Sequence, residues 1–121
     1  MPLKSASLLC KFSNKEIEQL FKSITLKFRN MGLEILLAPR SLDYGRLLLS
    51  VSRRVGNSPN RNRFKRRIKA LFYENKLFEL NFDWIVLAKS KMALTHDFAV
   101  LQKIICDIKT TLVVTDVYSK K

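Results

Sequence analysis

Apolar positions along this chain keep two rhythms, and each rhythm predicts elements. In residues 15–21 (KEIEQLF), Ile17, Leu20 and Phe21 fall on one helical face. Ser13 and Asn14 precede them, and Glu16 and Glu18 occupy the first turn, where carboxylates suit the positive end of a helix dipole. A capped helix that fades near Ser23 is expected. Residues 33–38 (LEILLA) read as a strand closed by Pro39, and 40–45 as a turn. Residues 46–55 (RLLLSVSRRV) open as a buried run and pass into alternation, which predicts a second strand with room for a third. In Gly56-Asn57-Ser58-Pro59, Ser58 is placed to cap a helix with Pro59 at its first position, and the helix should run to about Asn75. Residues 83–89 (DWIVLAK) predict a further strand. Thr95 then opens a final helix with Phe98, Leu101, Ile104, Ile105 and Ile108 at helical spacing. LVVTDVY either prolongs that helix or leaves it as extended chain, and a frayed tail is expected after about residue 116. One domain over 1–121 is expected, of α+β class: an α/β sandwich with helices packed on a sheet.

Charge changes this picture. Lys and Arg number 23 against 10 Asp and Glu, a net +13, which repels itself unless a polyanion neutralises it. Nucleic acid fits first and an anionic membrane surface second. Between Tyr44 and Tyr73 stand nine basic residues and no acid: Arg46, Arg53, Arg54, Arg61, Arg63, Lys65, Arg66, Arg67 and Lys69. At 100° per residue, Phe64, Ile68, Leu71 and Phe72 cluster on one side of the expected helix. Asn62, Arg66, Lys69 and Tyr73 oppose them, Arg63 and Lys65 flank that face, and Arg61 and Arg67 border the apolar stripe. A merely solvated helix face mixes signs, because like charges one turn apart repel. Uncompensated arginine instead suits phosphate, which its planar fork grips through two bonds.

Other chemistry is poorly provided for. Cys10 and Cys106 are the only cysteines and His96 the only histidine, so neither a disulfide scaffold nor a four-ligand zinc site is expected. The thiols read as small hydrophobes in a reducing cytosol. The acids are scattered, and Glu16 and Glu18 point to different helix faces, so no nuclease centre is expected. His96 is expected as a surface residue at a helix start. No stretch approaches the roughly 18–20 apolar residues of a membrane span, and no cleavable leader is apparent, so a cytoplasmic location is expected.

Residues 49–69 (LSVSRRVGNSPNRNRFKRRIK) closely resemble the signature of the bacterial ribonuclease P protein subunit family. That signature is a strand ending in V-S-K-K-x-G-N, two or three residues, then R-N-R-x-K-R-x-x-R. Val51-Ser52-Arg53-Arg54-Val55-Gly56-Asn57 and Arg61-Asn62-Arg63-Phe64-Lys65-Arg66 supply it here. Residues 16–21 stand where the family has its DFxxVF helix, and 83–89 where it has a DIVVIAR strand, so the resemblance covers nearly the whole chain. The family's R-L-G before the signature reads Arg46-Leu47-Leu48 here.

The resemblance implies an αβββαβα order with an uncommon left-handed βαβ crossover around the basic helix. It implies an accessory subunit of an endoribonuclease, in which a catalytic RNA removes the 5′ leader from precursor tRNA. Magnesium is then bound by that RNA and the substrate rather than by protein side chains, and no catalytic residue is expected in the protein. The implied partners are the catalytic ribonuclease P RNA and the precursor tRNA 5′ leader, with no membrane and no stable protein partner. By position, Arg53, Arg54, Asn57, Arg61, Asn62, Arg63, Lys65, Arg66 and Lys69 would contact the RNA. Ile17, Phe21, Leu33 and Leu37 would line a leader-binding cleft between the first helix and the sheet, with plain core packing the alternative for each and the better fit for Leu33 and Leu37. Asn57 is equally suited to holding the Gly56 turn. The competing reading is a basic ribosomal protein that binds rRNA and processes nothing.

Overall fold

A computed structural model describes Cys10 and residues 12–119, with side chains through Val113. Its order is α1 (Asn14–Lys22), β1 (Leu26–Asn30), β2 (Leu33–Pro39), β3 (Leu47–Val51), α2 (Ser58–Glu74), β4 (Phe82–Ala88), α3 (Lys91–Thr95) and α4 (Phe98–Ser119). The four strands lie in the order β1-β2-β4-β3. Both contacts of β2 are antiparallel, and β3 runs parallel to β4. A parallel pair needs a crossover, and α2 is that crossover.

The sheet buries both faces unequally. Leu33, Ile35 and Leu37 of β2 join Trp84 and Val86 of β4 in the main core, against Phe64, Ile68, Leu71 and Phe72 of α2 and Leu101, Ile104, Ile105 and Ile108 of α4. The alternate residues Leu36, Ala38 and Ile85 face the other way and meet Leu20 of α1 in a smaller cluster edged by Phe12, Ile24, Leu48 and Leu87. Strand side chains alternate between faces, so a residue chosen one position off lands on the wrong side.

Several boundaries differ from the sequence expectations. Residues 26–30 form an edge strand that the pattern did not announce. It is short, and its period-two signal, Leu26 and Phe28 between Lys27 and Arg29, spans two apolar positions. It is set by a two-residue turn in which Met31 and Gly32 both have positive φ, the primed geometry that suits a hairpin. The expected third strand after Val51 is instead a 3-10 turn at Arg53–Val55. The cap of α2 is Asn57, not Ser58: its side-chain oxygen accepts from the Asn60 N–H at 3.0 Å, which moves Pro59 to the second helical position. Thr95 ends α3, and α4 begins at Phe98. The fray expected after 116 falls on α4, whose backbone is helical to Ser119; Lys120 and Lys121 lie outside the described residues.

One buried cation ties the smaller face together. The Arg46 side chain is 4% exposed and donates from Nη1 to Glu16 Oε2 at 2.7 Å. Its Nη2 lies 3.9 Å from Asp83 Oδ2 and 3.3 Å from Ser41 Oγ, and its backbone N–H donates to Asp83 Oδ1 at 2.8 Å. The Phe12 ring lies 4.2 Å from the guanidinium carbon, close enough for a cation–π contact. Glu16 also closes a capping box with Ser13, so the residue that caps α1 also moors it to the sheet. The Ser13 N–H, then Arg46, hold the Glu16 carboxyl below its ordinary range. Burial pushes Asp83 up, opposed by the Arg46 backbone N–H and charge.

Arg46→Ala strands the Asp83 carboxylate in the interior and should cost about 3–5 kcal/mol in urea unfolding. The two carboxyls have opposite pH signatures. Glu16, with its folded pKa lowered, contributes stability that is present above the ordinary carboxylate range and lost as pH falls through its folded value. Asp83, with its pKa raised, relieves a cost on the same descent. Thermal unfolding of Glu16→Gln should therefore fall less than wild type on acidification from about pH 5 to pH 3. Parallel curves would show that Glu16 does not moor α1.

Candidate nucleic-acid interface

The cations of residues 53–69 are arranged by the helix that carries them. The apolar stripe fixes α2 against the core, so Asn62, Arg63 and Arg66 are left exposed and Lys65 half-exposed. Pro59, Asn62, Lys65, Arg66 and Lys69 line one open groove of about 530 Å³. Arg53 and Arg54 stand exposed on the 3-10 turn just ahead of the helix. No acid occupies the first turn of α2, where the exposed N–H groups favour an anion.

Compensation is absent here and present elsewhere. The ion pairs among the described residues join Arg29 and Lys89 to Glu34, and Arg46 to Glu16 and Asp83. Arg46 therefore leaves the set of nine, because carboxylates from outside its own window neutralise it. The remaining eight pair with no carboxylate among the described residues. They are not equivalent. Arg67 Nη1 donates to the His96 carbonyl at 3.0 Å and so fastens α2 to the joint between α3 and α4. Arg61 folds back onto its own helix start, with Nε to Gly56 O at 3.2 Å and Nη2 to Ser58 Oγ at 2.9 Å. Asn57 spends its oxygen on the cap, which assigns it a structural task. Tyr73, expected on the wet face, is half-buried against Phe78 with ring centroids 5.7 Å apart. His96 is likewise no loose surface residue: its Nε2 donates to the Met31 carbonyl at 2.7 Å and binds the hairpin turn.

The second surface is the outer face of the sheet beside α1. Phe21 of α1 is 45% exposed and Ile17 half-buried, and neither is among the side chains packed in the cluster that joins α1 to this face. Leu33 and Leu37 do not belong to it. They are 3% and 0% exposed, within the main core on the opposite face. The residues that share the face with α1 are one step along: Leu36, Ala38, Ile85, Leu48 and Leu87, with Phe12 from the segment before the helix. Phe12 precedes the cap and Ile17 is the fourth helical residue, the spacing of a hydrophobic staple, so a signal for Phe12 was present in the sequence. Across the strands this face carries two rows in register, Lys27–Leu36–Ile85–Leu48 and Arg29–Glu34–Leu87–Ser50. The cluster around Leu20 takes in the first row at Leu36 and Ile85 and reaches the second row at its edge, where Leu87 packs against it.

Fold and site together define an α+β protein with an unpaired cationic helix face set beside an open, partly apolar sheet face. Residues 11–112 match the family model described as Ribonuclease P, and the chain belongs to that family. The ribonuclease P protein component of Petrotoga mobilis is 32% identical over 60 residues, 49% of this chain; the match spans 51%, about half, of that curated relative. The RNase P protein of Staphylococcus aureus superposes with a TM-score of 0.72 at 24% identity, over 85% of this chain and 94% of its own, which speaks to the fold. The RNase P protein of Thermotoga maritima, solved with 1-(4-fluorophenyl)-2-thiourea, gives 0.67 at 26% identity over 78% of this chain and 91% of its own.

Two neighbouring arginines test the division of labour on α2. Arg66→Ala should leave thermal unfolding unchanged and weaken RNA binding by about 1–3 kcal/mol, as for a lost charge-assisted bond. Arg67→Ala removes the bond to His96 and should cost about 1 kcal/mol of stability. Wild-type RNA affinity should fall by roughly a thousandfold over a few-fold rise in monovalent salt. A nearly flat salt dependence would contradict the phosphate reading.

Proposed function

We propose that this chain is the RNA-binding subunit of ribonuclease P. It assists a catalytic RNA in hydrolytic removal of the 5′ leader from precursor tRNA. The observation that carries this reading is the eight cations at 53–69 that no carboxylate among the described residues neutralises, on a chain of this family. The α2 face binds the catalytic RNA through backbone phosphates, which gives affinity without sequence readout.

The α1–sheet face takes the single-stranded leader. Phe21 offers a ring for a base to stack on, and the partly buried Leu48 and Leu87 provide an apolar floor. Family membership implies magnesium. Among the described residues no three His, Cys, Asp or Glu side chains gather into a cage for an ion. The reading leaves the ions to RNA and substrate, and the protein's part is to bind and to position. The competing reading of the sequence, a ribosomal protein, is not favoured by the family match. RNA recovered with the protein from its host separates the two readings: a structured RNA that cleaves precursor tRNA supports the proposal, and rRNA contradicts it.

Phe21→Ala tests the leader face. The ring is nearly half exposed, so its loss should not open a core cavity. Affinity for precursor tRNA should drop by about 1–3 kcal/mol, with mature tRNA unaffected and the melting temperature unchanged. Equal losses for leader-bearing and leaderless tRNA would place the leader elsewhere.

A further inference from the structure

Past α1 the outer sheet face continues to the β1–β2 hairpin, and three charged side chains meet there. Glu34 Oε2 accepts from Arg29 Nε at 2.6 Å, and Glu34 Oε1 lies 3.7 Å from Lys89 Nζ. Arg29 and Glu34 face each other in the β1–β2 register, and Lys89 is fixed by its backbone N–H on Gly32 O at 2.8 Å. Exposure sorts the three. The Glu34 side chain is 10% exposed, while those of Arg29 and Lys89 are 80% and 59% exposed. The carboxylate is therefore the floor and the cations the lid of a groove of about 500 Å³, walled by Asn30, Met31, Gly32 and Leu33.

The fold gains little from such a pair, because an exposed ion pair contributes at most about 1 kcal/mol. What the arrangement does is aim a cation. Arg29 bonds Glu34 through Nε, and among the described residues its two Nη groups have no acceptor. That edge is the one that grips two phosphate oxygens side by side, and holding the guanidinium beforehand lowers the entropy lost on binding. The second row of the face, Arg29–Glu34–Leu87–Ser50, leads across the sheet to β3, which runs on into Arg53 and Arg54.

We propose that this end of the sheet is a phosphodiester-binding site for single-stranded RNA, the leader, with Arg29 as the contact, Lys89 as the second charge and Glu34 as the positioning residue. The site rests on the leader reading above. An RNA strand lying along the row would leave the basic end of α2, cross Leu87 and reach Arg29. The Arg29 hydrogen bond keeps the Glu34 carboxyl below its ordinary range, so the floor stays ionised and the clamp stays set at neutral pH.

The test uses the complex reconstituted with its catalytic RNA, and Arg29→Gln, an exposed change that spares the core. Affinity is measured over a salt series for precursor tRNA with a leader long enough to cross the sheet, for leaderless tRNA, and for the catalytic RNA alone. Arg29→Gln should weaken leader-bearing substrate about tenfold and reduce its salt slope by about one, with the other two unchanged. Glu34→Gln separates aim from charge. It adds a net positive charge, so charge alone would tighten leader binding. The clamp requires a several-fold weakening, absent when Arg29 is already Gln. Tightening by Glu34→Gln, or a wild-type leader advantage retained in Arg29→Gln, overturns the site. A loss confined to the catalytic RNA alone overturns the leader as its source. If wild type itself does not distinguish leader-bearing from leaderless tRNA, the proposed function fails, and the site with it.

Discussion

A guanidinium with almost no access to water organises the sheet face proposed to meet single-stranded RNA. Arg46 enters β3 and reaches at once a carboxylate of β4, a carboxylate of α1 and the ring of Phe12. Burying a charge costs several kcal/mol unless it is paired and hydrogen-bonded, so these partners are a condition of the fold rather than an addition to it. The hydrophobic contact of α1 is small, with Leu20 its one fully buried side chain, so direction comes from the ion pair. α1 meets the sheet at Leu36, Ala38 and Ile85, and Leu87 of the next row packs at the edge of that contact.

That division explains how thirty-odd charged residues produce two different surfaces. Where two carboxylates converge on a buried guanidinium, the cation becomes structural: Arg46 moors a helix. Where only carbonyls are near, cations fasten elements, as Arg67 does at His96. Where neither is near, on the outer side of α2, they stay solvated and exposed for phosphate. Sequence charge counts cannot separate these fates, because the neutralising partner lies 30 or 37 residues away for Arg46.

What could be read without coordinates follows the range of the forces involved. The α2 stripe was legible because a long amphipathic helix repeats its pattern over several turns, and the same arithmetic placed Arg63 and Arg66 in water. The basic signature was legible as a local run. β1 was not, since two apolar positions on an edge strand carry little signal against the turn residues around them. Leu33 and Leu37 went to the wrong face because LEILLA is apolar almost throughout. Both sides of β2 are buried there, so alternation vanishes and parity can be read only from the pairing register. Asn57 over Ser58 is a choice between two good caps, settled by which backbone takes the helical turn.

The central claim is that α2 and the sheet face touch different RNAs. Tethered hydroxyl-radical cleavage reads it most directly, using Asn62→Cys on α2 and Ser50→Cys on the open sheet face, with Cys10 and Cys106 replaced by serine. Both positions are exposed. In the assembled complex with precursor tRNA, a probe at 62 should cut the catalytic RNA with or without substrate present. A probe at 50 should cut the 5′ leader and fall silent with mature tRNA. Identical cleavage patterns from the two positions would contradict the account.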